Sequence, residues 1–146
     1  MTTISSDIDE TNSVSAVRAR DLRLVQELLI NGDFEDEDGR TPLSHAAEEG
    51  RVEVVKLLLA TDGVNPTSED HCGQTPLSHA AEKGHEEVVK LLLDIPGVDP
   101  NEEDYDLRTP LAHAAIGGHA DVAMELASRM EDKESLKPYI ELAKLI

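Results

Sequence analysis

TPLSHAAEEGRVEVVKLLL at residues 41–59 returns as TPLSHAAEKGHEEVVKLLL at 75–93 and as TPLAHAAIGGHADVAMELA at 109–127. Each return is 34 residues downstream of the one before, counted from Thr41, Thr75 and Thr109. A period in the low thirties is the mark of a stacked array, because one short helical unit cannot bury its apolar face alone and needs neighbours to cover it. The expected fold is therefore all-α: a helical solenoid of helix-turn-helix repeats joined by β-turn fingers. It moves the question of function from catalytic chemistry to surface recognition.

The details of the repeat agree with this. Thr41, Thr75 and Thr109 stand where a helix N-cap belongs, and the following prolines take the first helical position, where a missing N–H is harmless. Leu43, Ala46 and Ala47 fall at i, i+3 and i+4, one face of a short helix. Gly50, Gly84 and Gly118 follow, where a left-handed residue closes the last turn. A second helix carries Val52, Val54, Val55 and the run Leu57, Leu58, Leu59, then Val88, Val89 and the run Leu91, Leu92, Leu93. Leu57, Leu58, Leu91 and Leu92 are expected to be buried between layers. Asp36-Glu37-Asp38-Gly39-Arg40 and Asp70-His71-Cys72-Gly73-Gln74 have turn chemistry, with Asp at the start and Gly where a positive φ is needed. Asp104-Tyr105-Asp106-Leu107-Arg108 has Leu in that place, so its turn must change type or carry strain.

The pattern D-x-x-G-x-T-P-L-x-x-A-A-x-x-G-H followed by V-V-K-L-L-L resembles the ankyrin repeat. The 34-residue period, the TPLSxAA wording and the Val-Asp-Pro-Asn exit from the second helix resemble the ankyrin arrays common in fungal proteins. The resemblance covers about residues 15–130. Two departures stand out. Ser44, Ser78 and Ala112 occupy the place directly after Thr-Pro-Leu where the family usually has His, and Arg51 replaces the His found at His85 and His119. The resemblance implies that His85 and His119 serve hydrogen bonding between repeats.

The organisation expected is a mobile acidic segment at 1–12 and a repeat domain at 13–146. Within it lie a shortened first repeat at 13–40, repeats at 41–74 and 75–108, a diverged repeat at 109–132 and a closing helix at 133–146, giving about nine helices. Ala16, Val25 and Leu28 align with Ala46, Val55 and Leu58. Arg18, Arg20 and Arg23 suit the polar outer face of a cap.

Composition narrows the function. The 146 residues carry 31 Asp and Glu against 13 Lys and Arg, a net charge of −18. That surplus opposes nucleic acids, whose phosphates need a Lys/Arg-rich face, and anionic membranes. It favours solubility and basic protein partners. Aromatic residues make up 2%, so the core must be aliphatic. A single cysteine, Cys72, allows no intrachain disulfide and suits a reducing compartment. The acidic start MTTISSDIDETNSVS is unlike a signal peptide, and no apolar run approaches a membrane span. The reading is an intracellular protein, cytoplasmic or nuclear, monomeric on its own.

The chemistry-bearing residues form no catalytic constellation. His45, His79 and His113 recur on successive helices roughly 8–10 Å apart, a ladder rather than the convergence that zinc bonds of about 2.0–2.1 Å require. They are read as half-exposed positions on the first helices. A calcium loop around Asp36 and Asp38 would need Phe34 and His45 as its first and last ligands, and both are wrong. Ser44-His45 and Ser78-His79 are chain neighbours and do not face each other on a helix. No phosphate loop, nucleophile elbow, zinc-protease or dinucleotide motif is present, and Cys72 among carboxylates is a surface thiol. The expectation is a non-catalytic protein with no metal and no cofactor.

The resemblance implies that a protein partner is bound through turn tips and the exposed face of the first helices. Carried over by position, the contacts are Glu37, Asp38, Arg40, His71, Cys72, Gln74, Tyr105, Asp106 and Arg108 on the turns. On the helices they are His45, Glu48, Glu49, His79, Glu82, Lys83, His113 and Ile116. Tyr105 is the best single anchor, since Tyr is enriched among energetic hot spots. Two other readings stand beside this one, the regulatory subunit of an enzyme complex and a partnerless, consensus-like scaffold.

Overall fold

Each repeat starts at its threonine. Thr41 Oγ1 accepts the Ser44 N–H at 3.2 Å, Thr75 Oγ1 that of Ser78 at 3.3 Å and Thr109 Oγ1 that of Ala112 at 3.2 Å. These caps open α1 (Pro42–Glu48), α3 (Pro76–Lys83) and α5 (Pro110–Ile116), each with Pro in the first turn. Gly84 caps α3 at φ 77°, and Gly50 and Gly118 are likewise left-handed. The chain reverses into α2 (Val52–Leu59), α4 (Glu86–Leu93) and α6 (Ala120–Ser128), and a last helix, α7, spans Lys137–Leu145. The structure, a computed structural model, describes residues 35–130 and 137–146. The expected segment at 1–12, the shortened repeat as far as residue 34 and the start of the closing helix lie outside the described residues.

The first helices α1, α3 and α5 pack side by side as one layer, and α2, α4 and α6 form the layer behind them. Helix α7 lies against both α5 and α6. Among the described residues there are seven helices and no strand, so the fold is an all-α repeat stack.

The core is aliphatic throughout. Leu43, Ala46 and Ala47 are closed off completely, as are Val55, Leu58, Val88, Val89 and Leu92. The alanine pairs let the first helices approach closely, and the leucines of the second helices fill the space between layers. One expectation is corrected here. Leu57 and Leu91 are only partly buried, packed against the edge of the core, while Leu58 and Leu92 are fully inside. Three consecutive leucines span about 200° of a helix that advances about 100° per residue, so the middle one alone points straight between the layers.

The repeats are tied together by histidines at the start of the second helices. His85 Nε2 donates to the Glu48 carbonyl at 2.8 Å, and His119 Nε2 to the Glu82 carbonyl at 2.9 Å. Each bond crosses from one repeat to the one before, as the resemblance implied. Arg51, in the equivalent place one repeat earlier, turns its Nε to Glu49 at 2.9 Å.

Candidate functional site

The three turns project from the layer of first helices as a row of fingers. In the first, Asp36 N–H donates to the Arg40 carbonyl at 2.9 Å and Gly39 N–H to the Asp36 carbonyl at 3.0 Å. The second and third repeat this with Asp70 and Gln74, and with Asp104 and Arg108. Neighbouring fingers are joined by one backbone bond each: His71 N–H to the Asp38 carbonyl at 2.9 Å and Tyr105 N–H to the Cys72 carbonyl at 3.0 Å. The His71 ring lies over Gly39 and the Tyr105 ring over Gly73. A Cβ on either glycine would come within 2.6 Å of the ring above it, and both have a left-handed φ.

What holds each finger is an aspartate at its base. Asp70 Oδ1 accepts the Cys72 and Gln74 N–H groups at 2.8 and 3.0 Å, while Oδ2 accepts His79 Nε2–H at 2.9 Å. Asp36 does the same with Asp38, Arg40 and His45, and Asp104 with Asp106, Arg108 and His113. The carboxylate thus closes the turn with one oxygen and bolts it to the following helix with the other.

This corrects the expectation for His45, His79 and His113. They are not half-exposed contacts on a concave face. They are 2%, 1% and 7% exposed and are spent on the aspartates. Sequence reasoning missed the aspartates as hubs, although a signal was present: Asp36, Asp70 and Asp104 each stand nine residues before a histidine, in all three copies.

Protonation follows from the geometry. Burial pulls the three carboxyls upward, but the hydrogen bonds outweigh it and hold all three below the usual carboxylate value. For Asp70 and Asp104 a turn N–H bond is the strongest of these, followed by the histidine; for Asp36 the histidine leads. His79 is held below the ordinary imidazole value by burial, against the pull of Asp70. Its Nδ1 is enclosed with no hydrogen-bond partner, so a second proton there would be a buried donor with nothing to bond. His79 is neutral at physiological pH, with its proton on Nε2.

The remaining expected contacts divide clearly. Glu37, Asp38, His71, Cys72, Tyr105, Asp106 and Arg108 are exposed at the tips, and Lys83 and Ile116 at the helix ends. Arg40 and Glu48 are half-buried and bonded to each other at 2.9 Å, and Gln74 reaches Glu82 at 3.3 Å. Glu49 is half-buried against Arg51. The third repeat breaks that pattern: Ile116 stands where Glu48 and Glu82 stand, and Arg108 makes no ion pair among the described residues. Leu107, which the sequence marked only as a turn anomaly, keeps the same turn bonds as its glycine counterparts at φ 64° and is 74% exposed. The strain alternative is therefore the one the chain adopts.

Among the described residues, no three His, Cys, Asp or Glu side chains gather as a metal site requires, and no helix is long and apolar enough to cross a membrane. The fingers, the paired short helices and the histidine links between repeats are the parts of one known architecture. A family model described as ankyrin repeats, in three copies, matches residues 13–104 and 63–137. No curated protein matches the sequence. With nearly the whole chain under that model, the protein belongs to the ankyrin-repeat family.

Proposed function

We infer that this chain is a recognition module that docks a protein with a Lys/Arg-rich surface across its three fingertips. Ankyrin repeats are in general protein–protein interaction modules, and the chain's membership supports that much of the reading. The finer claim rests on one observation. Glu37, Asp38, Glu103 and Asp106 project at the fingers with no cationic partner among the described residues, on a scaffold whose turns are fixed by the aspartates at their bases. Like charges held on one edge repel, and a cationic surface relieves that repulsion while being drawn in faster. Rigid turns also spare the partner the ordering cost that flexible loops would add.

The test starts with affinity capture from the source cells and identification of the bound chain. Its association rate with the purified protein should fall clearly between low and physiological salt, where the screening length is about 8 Å. It should fall further for an Asp38→Asn, Asp106→Asn double variant, since both side chains are exposed and neither closes a turn with its carboxylate. A rate indifferent to salt and to the double variant would remove the acidic tips as the recognition surface. The face of the first helices, at Glu82, Lys83 and Ile116, would then be the better candidate.

A further inference from the structure

The third finger differs from the other two in ways that all point outward. At Gly39 and Gly73 the neighbouring finger lies so close that even its backbone N is 3.2 and 2.9 Å from where a Cβ would stand. Two constraints therefore demand glycine there, the close approach and the left-handed φ. At Leu107 the left-handed φ persists, but no described finger lies across it. A branched side chain at φ 64° is strained, and its Cβ occupies the space a further finger would need. The Leu107 side chain stands in solvent, 74% exposed. Tyr105 beside it is 69% exposed and Ile116, on the helix end that Arg108 would reach by analogy with Arg40 and Glu48, is 53% exposed. Around them, Glu102, Glu103 and Asp106 stand against the one guanidinium of Arg108, the fourth carboxylate of the stretch, Asp104, being buried in its turn.

We propose that Tyr105, Leu107 and Ile116 are the specificity-determining contact of the fingertip surface and take an apolar side chain flanked by Lys or Arg on a partner protein. The proposal rests on the fingertip reading above and adds to it what the partner must present. The acidic surround selects the cations, the exposed apolar trio selects the residue between them, and the strain at Leu107 is retained because the side chain is used. A glycine at this position would make the finger more stable and leave it with no apolar grip. Interface energy concentrates in such central apolar contacts ringed by polar groups.

The test uses the full chain and three short fluorescein-labelled peptides: alternating Lys and Leu, alternating Lys and Ser, and alternating Glu and Leu. Binding is read by fluorescence anisotropy. The Lys–Leu peptide should bind about tenfold tighter than Lys–Ser, the scale of a hot-spot contact, and Glu–Leu should not bind. Leu107→Gly should abolish the advantage of Lys–Leu over Lys–Ser while raising the urea midpoint. Ile116→Ser should reduce the same advantage. Leu145→Ser, which alters an exposed apolar residue on α7, should preserve it. The proposal is overturned if Lys–Leu has no advantage in the unaltered chain, if Leu107→Gly leaves that advantage intact, or if Glu–Leu binds as well. A natural partner whose association still responds to salt and to the Asp38, Asp106 double variant would keep the fingertip reading standing in each of those cases.

Discussion

Replacing Asp70 should damage the array more than any other single polar change at a turn. The side chain is 3% exposed and accepts three hydrogen bonds. In Asp70→Ala, the Cys72 and Gln74 N–H groups sit near the surface and recover water, so each loss is a net hydrogen bond, about 0.5–1.5 kcal/mol. His79 cannot recover water. It is 1% exposed, and its orphaned Nε2–H costs the desolvation of a buried donor, about 1–3 kcal/mol. Together these give about 2–6 kcal/mol, a large share of the 5–15 kcal/mol typical of a whole domain. Asp70→Asn keeps an oxygen for the two backbone donors but turns an amide N–H toward the Nε2–H. His79 can escape by moving its proton to Nδ1, where no acceptor waits, so the loss is about 1–3 kcal/mol. Asp106→Asn, at an exposed tip, should change stability by less than about 0.5 kcal/mol. Urea unfolding followed by circular dichroism measures all three. A double-mutant cycle of Asp70→Ala with His79→Ala isolates the bond itself and should show coupling of about 1–3 kcal/mol. If Asp70→Ala costs less than about 1 kcal/mol, or if the two changes are additive, the aspartate is not the hub of the finger.

Three further outcomes are expected. Leu92→Ala, at a fully buried site, should cost about 2–5 kcal/mol, whereas Lys90→Ala on the exposed side of α4 should be nearly silent and Leu91→Ala intermediate; the order of the urea midpoints checks the helix phase. His85→Ala removes the 2.8 Å link to the Glu48 carbonyl and should uncouple neighbouring repeats, seen as faster hydrogen exchange in α1 relative to α5. Stability should fall on acidification in two stages: His79 lies below its ordinary 6.5, so below that pH the unfolded chain binds the extra proton and the native state loses ground, and Asp36, Asp70 and Asp104, held below 3.8, give up their contribution as pH falls past that value. In His79→Gln the first stage should shrink in a pH series of urea midpoints.

The residues that announced the fold are those whose work is local. A threonine cap, a proline one residue later and a glycine closing the turn each act within about four residues, so their spacing is visible in the string of letters. The inter-repeat histidines His85 and His119 were visible through their place in the repeat, which the family resemblance names. The aspartate hubs were hidden because their bonds join a turn to a helix nine residues on. Each half, taken alone, suggests something else: Asp36 and Asp38 suggest calcium, and the histidines suggest a zinc ladder or an exposed contact. Only the fold shows that each histidine ring is bonded to a carboxylate and enclosed. Leucine runs hide phase in the same way, since Leu57, Leu58 and Leu59 are chemically alike and only packing decides which one is enclosed.

Leu107 runs the other way. The sequence flagged it as a violation of turn chemistry but gave no reason for it, because the exposure of a side chain at a turn tip is set by how the fingers stack. Gly39 and Gly73 are required by the finger above each of them as much as by their own φ. Among the described residues no finger stands above Leu107, and its turn still holds, with Leu107 N–H bonded to the Asp104 carbonyl at 2.9 Å. A residue that breaks a local rule while its surroundings keep every hydrogen bond is carrying a load elsewhere. On this chain the Leu107 side chain points into solvent, where the proposed partner would meet it.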